Sequence, residues 1–100
     1  MEASHTDNTL PSIEWGADAL DDLDKITEFI QKRNPPAAER TLAAIEEKVE
    51  QLSSFPKMNK AGRVVGTREL VVKSTYVVVY TEDEKEIVIL RVLHGSQQWP

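Results

Sequence analysis

The hydrophobic period of this chain changes once. Apolar residues recur at spacings of three and four from Leu20 to Leu52, then at every second position or in unbroken runs from Arg63 onward. Side chains that share a face repeat about every 3.6 residues in a helix and about every 2 in a strand, so neither part can adopt the other's structure without scattering its apolar groups into water. Helices therefore come first and strands afterwards, which predicts an α+β fold.

The helical part divides at "RNPP". Leu20, Leu23, Ile26 and Ile30 form the first stripe, with Gly16 as an acceptable N-cap and Asp18, Asp21 and Asp22 near the positive end of the helix dipole. A residue before proline is pushed out of helical geometry, so this helix ends before Pro35. Asn34 offers a capping side chain and Pro35 or Pro36 suits a first turn, so a second helix follows with Ala38, Leu42, Ile45, Val49 and Leu52 on one side, closed by "SSFP". So short a connection predicts an antiparallel helical hairpin. Before the hairpin, "SIEW" reads as a short strand.

The strand part contains "RELVV", "TYVVVY" and "EIVILRVLH", rich in β-branched and aromatic residues and joined by "KST" and "TEDEKE". Connectors of that size predict a three-stranded antiparallel meander, and "YVVVY", apolar on both faces, predicts its middle strand under the helices. Strict alternation in the last strand puts Val88, Leu90, Val92 and His94 on one face and Ile87, Ile89, Arg91 and Leu93 on the other. Arg91 in an apolar row either reaches solvent or pairs with an acid on a neighbouring strand such as Glu69, and the pairing is the expected outcome.

At 100 residues there is room for one core. Residues 1–11, "MEASHTDNTLP", lack periodicity and are expected to form a flexible tail, with residues 12–100 as the single domain. The chain has no cysteine, which excludes disulfides and thiolate metal sites, and no metal or cofactor is expected. "YVVVY" is far shorter than the roughly 20 residues of a membrane span, so the expected setting is the cytoplasm, with no membrane contact. The net charge of −5 argues against a general nucleic-acid binder. Lys57, Lys60, Arg63, Arg68 and Lys73 are nonetheless opposed locally only by Glu69, a surplus suited to an acidic partner, to a phosphate, or simply to solvent.

Taken as a set, "RNPPAAER", "GTRELVV", "YVVVY" and "ILRVLHGSQQWP" make residues 13–100 resemble the RelE/ParE superfamily, the small toxins of type II toxin–antitoxin (plasmid stabilisation or addiction) modules. The resemblance implies the strand, helical hairpin and meander derived above. It also implies neutralisation by a cognate antitoxin, contact with DNA only through that antitoxin, and action on either DNA gyrase or ribosome-bound mRNA. A third possibility is a silent member that retains antitoxin binding alone.

RNA cleavage through the ribose 2′-OH needs a proton acceptor, a cation for the charged phosphorane and an acid for the leaving oxygen. Cleaving relatives often carry an arginine where this chain has Val77, another near Gln97 or Gln98, and a later tyrosine that this chain lacks. Arg63, Arg68, Glu69, Arg91 and His94 remain as candidates for catalysis. Arg68 and Glu69 point to opposite sides of their strand unless Gly66 introduces a bulge, and a lone histidine at a strand end is more often structural than a proton-transfer group. The resemblance therefore favours a gyrase inhibitor that is not an enzyme, with a ribosome-dependent endoribonuclease as the alternative. Trp15 is expected to pack under the hairpin. Arg68, His94, Gln97, Gln98 and Trp99 are the candidate contact residues for a partner or target, the competing expectation for Trp99 being that it folds back onto the sheet.

Overall fold

The computed structural model describes residues 10–100. Strand β1 (Ser12–Trp15) leads into helix α1 (Ala17–Gln31) and helix α2 (Pro35–Glu50), which continues as one 3-10 turn, Gln51–Ser53; strands β2 (Arg68–Val72), β3 (Tyr76–Glu82) and β4 (Glu86–His94) follow. Gly16 occupies the N-cap of α1 in an extended conformation. At α2 the Ala37 N–H donates to Asn34 Oδ1 at 3.1 Å, so the "RNPP" segment both ends one helix and starts the next.

The sheet order is β1-β4-β3-β2. β2, β3 and β4 form the expected antiparallel meander, and β1 adds to β4 in parallel, Ser12 opposite Glu86 and Trp15 opposite Ile89. The β2–β3 turn places Lys73 and Ser74 at φ 57° and 60°, and the Thr75 N–H closes it onto the Val72 carbonyl at 3.1 Å. Asp83 Oδ1 closes the β3–β4 turn by accepting from the N–H groups of Lys85 (2.8 Å) and Glu86 (2.7 Å), and these bonds hold its carboxyl below the usual range.

Both helices lie on one face of the sheet. Ala19, Leu23, Ile45, Val49 and Leu52 meet Leu70, Val72, Val78, Tyr80, Ile87, Ile89 and Val92, with Trp15 packed at the margin. The other face has a smaller buried cluster, Val77, Val79 and Leu93, against which Leu90 and Trp99 pack. β3 is thus buried on both sides, as its sequence requires. On α1 the buried stripe runs through Ala19 and Leu23, whereas Leu20 is exposed.

Strict alternation fails in β4. The register shifts between Val79 and Tyr80, which pair with Arg91 and Ile89, so Leu90 is an extra residue. This bulge moves Val92 to the helical face beside Ile87 and Ile89, and puts Leu90 with Leu93 on the opposite one. Gly66, which could have provided a bulge, instead supplies φ +90° to a turn in which the Thr67 N–H donates to the Val64 carbonyl at 3.1 Å. Met1–Thr9, most of the expected tail, lie outside the described residues. Pro11 is buried, and its carbonyl accepts from Ser53 Oγ at 3.1 Å. No helix among the described residues is long and apolar enough to cross a membrane.

Candidate functional site

The three candidate arginines all have carboxylate partners within the chain. Arg91 is held by Asp22 of α1 and not by Glu69: Nε donates to Oδ2 at 2.6 Å and Nη2 to Oδ1 at 3.0 Å. The same Oδ2 accepts the Val92 N–H at 3.0 Å. β1 pairs with β4 only as far as Ile89, so the backbone beyond it is open on that side, and Asp22 serves that backbone and the guanidinium together. These bonds push the Arg91 guanidinium further up from its ordinary value.

Glu69 is buried and serves the loop before β2. Its Oε2 accepts the Arg63 N–H at 2.9 Å and lies 3.2 Å from Arg63 Nε, while Arg63 Nη1 donates to the Gln97 carbonyl at 3.3 Å. Loop and C-terminal segment are thereby joined over the sheet face that the helices leave open. Arg68 works on the opposite face, with Nε 3.3 Å from Glu82 Oε2 and Nη1 donating to the carbonyls of Asn59 (2.7 Å) and Lys57 (3.3 Å). Beside it the Tyr80 hydroxyl donates to the Pro56 carbonyl at 2.9 Å and accepts from Asn59 Nδ2 at 3.1 Å. Burial raises the pKa of that hydroxyl, against the opposing effect of the Asn59 hydrogen bond.

Three arginines that seemed available in the sequence are therefore clasps. Arg68 and Glu69 serve opposite faces, as alternation requires, and no bulge brings them together. Val77 is buried in the open-face cluster. Trp99 packs against that cluster and is half-buried, while Gln97 and Gln98 are exposed.

Two grooves remain. One, of about 410 Å³, lies beside the edge strand β2 and includes Lys48, Leu52, Phe55, Met58, Lys60 and Val71. The Glu69 N–H already points outward, donating to the Lys60 carbonyl at 3.1 Å, so two residues on the Val71 N–H also faces away from β3. The other groove, of about 260 Å³, lies where α1 passes the ends of β3 and β4, lined by Lys25, Ile26, Phe29, Tyr76, His94 and Gln97. The rings of Tyr76 and His94 meet edge to face, 6.0 Å apart at 84°.

Residues 13–99 match the family model described as the ParE toxin of the type II toxin–antitoxin system parDE. The chain belongs to the ParE toxin family. It is 38% identical over 88 residues to the toxin-family protein Y4kP of Sinorhizobium fredii, covering 88% of this chain and 92% of that one. It is 27% identical over 88 residues to toxin RelE2 of Caulobacter vibrioides, covering 88% and 99%. Among solved structures it resembles the chromosomal ParDE system of P. aeruginosa, with TM-score 0.76, 26% identity and coverage of 86% of this chain and 97% of that one. The RelBE2 toxin–antitoxin complex of Mycobacterium tuberculosis gives TM-score 0.65, 29% identity and coverage of 89% and 95%.

In this ParE-family chain, sequence reasoning overlooked Asp22, Phe29 and Tyr76. Asp22 carries no local signal of its role, because its partners lie 69 and 70 residues away. Phe29 does carry one: it falls off the apolar stripe of α1 and is 61% exposed, unusual for so large an apolar group.

Proposed function

We propose that this toxin inhibits DNA gyrase by binding it, without cleaving nucleic acid, and is neutralised by a cognate antitoxin that lays an extended segment along β2. The engagement of Arg63, Arg68 and Arg91 in internal ion pairs carries the first part. A phosphorane gains from cations held ready at the reacting centre, whereas each of these guanidiniums would have to leave a carboxylate to reach it. Val77 supports the same reading, as a buried apolar residue where cleaving relatives often have a cation. The outward N–H of Val71, beside a groove of mixed polar and apolar lining that includes Lys48 and Lys60, supports strand addition by an acidic, partly apolar peptide. The similarity to two solved toxin–antitoxin systems agrees with such a partner.

Primer extension on translated mRNA tests the first part. Growth arrest with no cleavage in the ribosomal A site is the expected result. Cleavage that disappears in His94→Ala would instead establish the endoribonuclease, and a well-tolerated toxin would indicate a silent antitoxin binder. For the antitoxin, Val71→Pro removes the outward N–H while sparing the bonds of Leu70 and Val72 to β3. It should weaken the complex about tenfold or more, measured by titration calorimetry; unchanged affinity would remove β2 from the interface.

A further inference from the structure

The geometry points to the α1–β4 groove as the docking site for a segment of the toxin's protein target, one that presents a large apolar side chain next to a carboxylate. This inference rests on the reading of a protein target and adds its location and chemistry. The apolar part of the groove comes from Ile26, Phe29 and Tyr76. Phe29 is 61% exposed yet restrained, with the Arg33 guanidinium carbon 4.4 Å from its ring centroid. A ring held in place before binding loses less entropy when a partner covers it.

The polar groups around it are chiefly donors. His94 Nδ1 lies 3.0 Å from Ser96 Oγ and accepts the Ser96 N–H at 3.3 Å, and the tautomer that fits this contact has Nε2 as the donor. Gln97 uses its Oε1 to accept the His94 N–H at 3.2 Å, which leaves its amide NH₂ to donate. The Arg33 guanidinium lies over Phe29, and Lys25 shares only an exposed contact of 3.5 Å with Asp21. Such a rim is complementary to a carboxylate and to peptide carbonyls. A nucleic-acid backbone would also bring acceptors, but α1 carries Asp18, Asp21, Asp24 and Glu28, whose combined negative field disfavours a polyanion.

The groove is built from residues far apart in sequence, which explains why the C-terminal "LHGSQQWP" alone did not reveal it. Only His94 and Gln97 of that segment line it, whereas Trp99 packs on the opposite sheet face.

Phe29→Asp and Arg33→Glu test the proposal, since both residues are exposed and outside the core. Each should raise the induced dose needed for growth arrest at least about tenfold, the effect of losing a central interface contact. Melting temperature and antitoxin affinity should remain those of the wild type. Wild-type potency in both variants would overturn the groove, as would a parallel loss of antitoxin binding, which would make the antitoxin its occupant. If the wild type arrests growth but leaves purified gyrase unaffected, the gyrase reading fails, and the groove is then judged by the growth phenotype of the two variants alone.

Discussion

The two faces of the sheet are made in different ways. The helical face is covered by α1 and α2 and encloses twelve buried residues; the other encloses three, sheltered by Leu90, Trp99 and the short segments that Arg63 ties together. A helix brings a preformed apolar stripe to a sheet, whereas a loop or tail must be fastened by specific polar bonds. The first face is held chiefly by buried area, with the Arg68 and Arg91 ion pairs at its margins, and the second chiefly by the Arg63–Glu69 clasp, so they should respond differently to substitution.

The largest effect is expected on the helical face. Ile89→Ala removes a fully buried side chain beneath two helices that cannot close the gap, and should cost about 3–4 kcal/mol in denaturant unfolding. Leu93→Ala, also fully buried but covered by Leu90 and Trp99 and not by a helix, should cost about 2 kcal/mol because so slight a covering can settle into the gap. Equal losses at the two sites would erase the distinction.

Breaking a clasp should give an intermediate effect. Glu69→Gln removes the charge paired with Arg63 and should cost about 1–3 kcal/mol, with faster hydrogen exchange in the loop and the C-terminal segment but not in α1. Exchange rising equally in the helices would mean that the two faces unfold together. Ending the chain after Gly95 removes Trp99 and should lower the melting temperature by several degrees, roughly 1 kcal/mol, while the helical face stays folded by circular dichroism. The smallest change is a control in a turn that belongs to neither face. Ser74→Gly relieves a positive φ of 60° and should stabilise the protein by about 0.5–1 kcal/mol, without altering either exchange pattern.

The helical face was the more legible in sequence, for the same reason that it is the sturdier. The stripe through Leu23 and Ile26, the Asn34 cap with its prolines, and the unbroken apolar run of β3 are local patterns, and each pointed to the observed element. The features that could not be read are single long-range events. Parallel pairing of β1 with β4 joins residues more than seventy positions apart, and nothing in "SIEW" specifies it. The bulge at Leu90 has no glycine to announce it, yet it changes the face of every residue beyond it in β4. Arg91 was recognised as needing an acid, but the partner was sought across the strands, while the open edge beyond Ile89 brought α1 close enough for Asp22 to supply it. The candidate site suffered most, since the α1–β4 groove joins residues from opposite ends of the chain.

The central functional claim is that a toxin whose candidate arginines are occupied as clasps acts by binding a protein. Supercoiling of relaxed plasmid by purified gyrase, titrated with the purified toxin, tests it most directly. The account predicts dose-dependent loss of supercoiling that is relieved by the cognate antitoxin and persists in His94→Ala. Full supercoiling at toxin concentrations well above that of gyrase, with a toxin preparation that arrests growth, would contradict it.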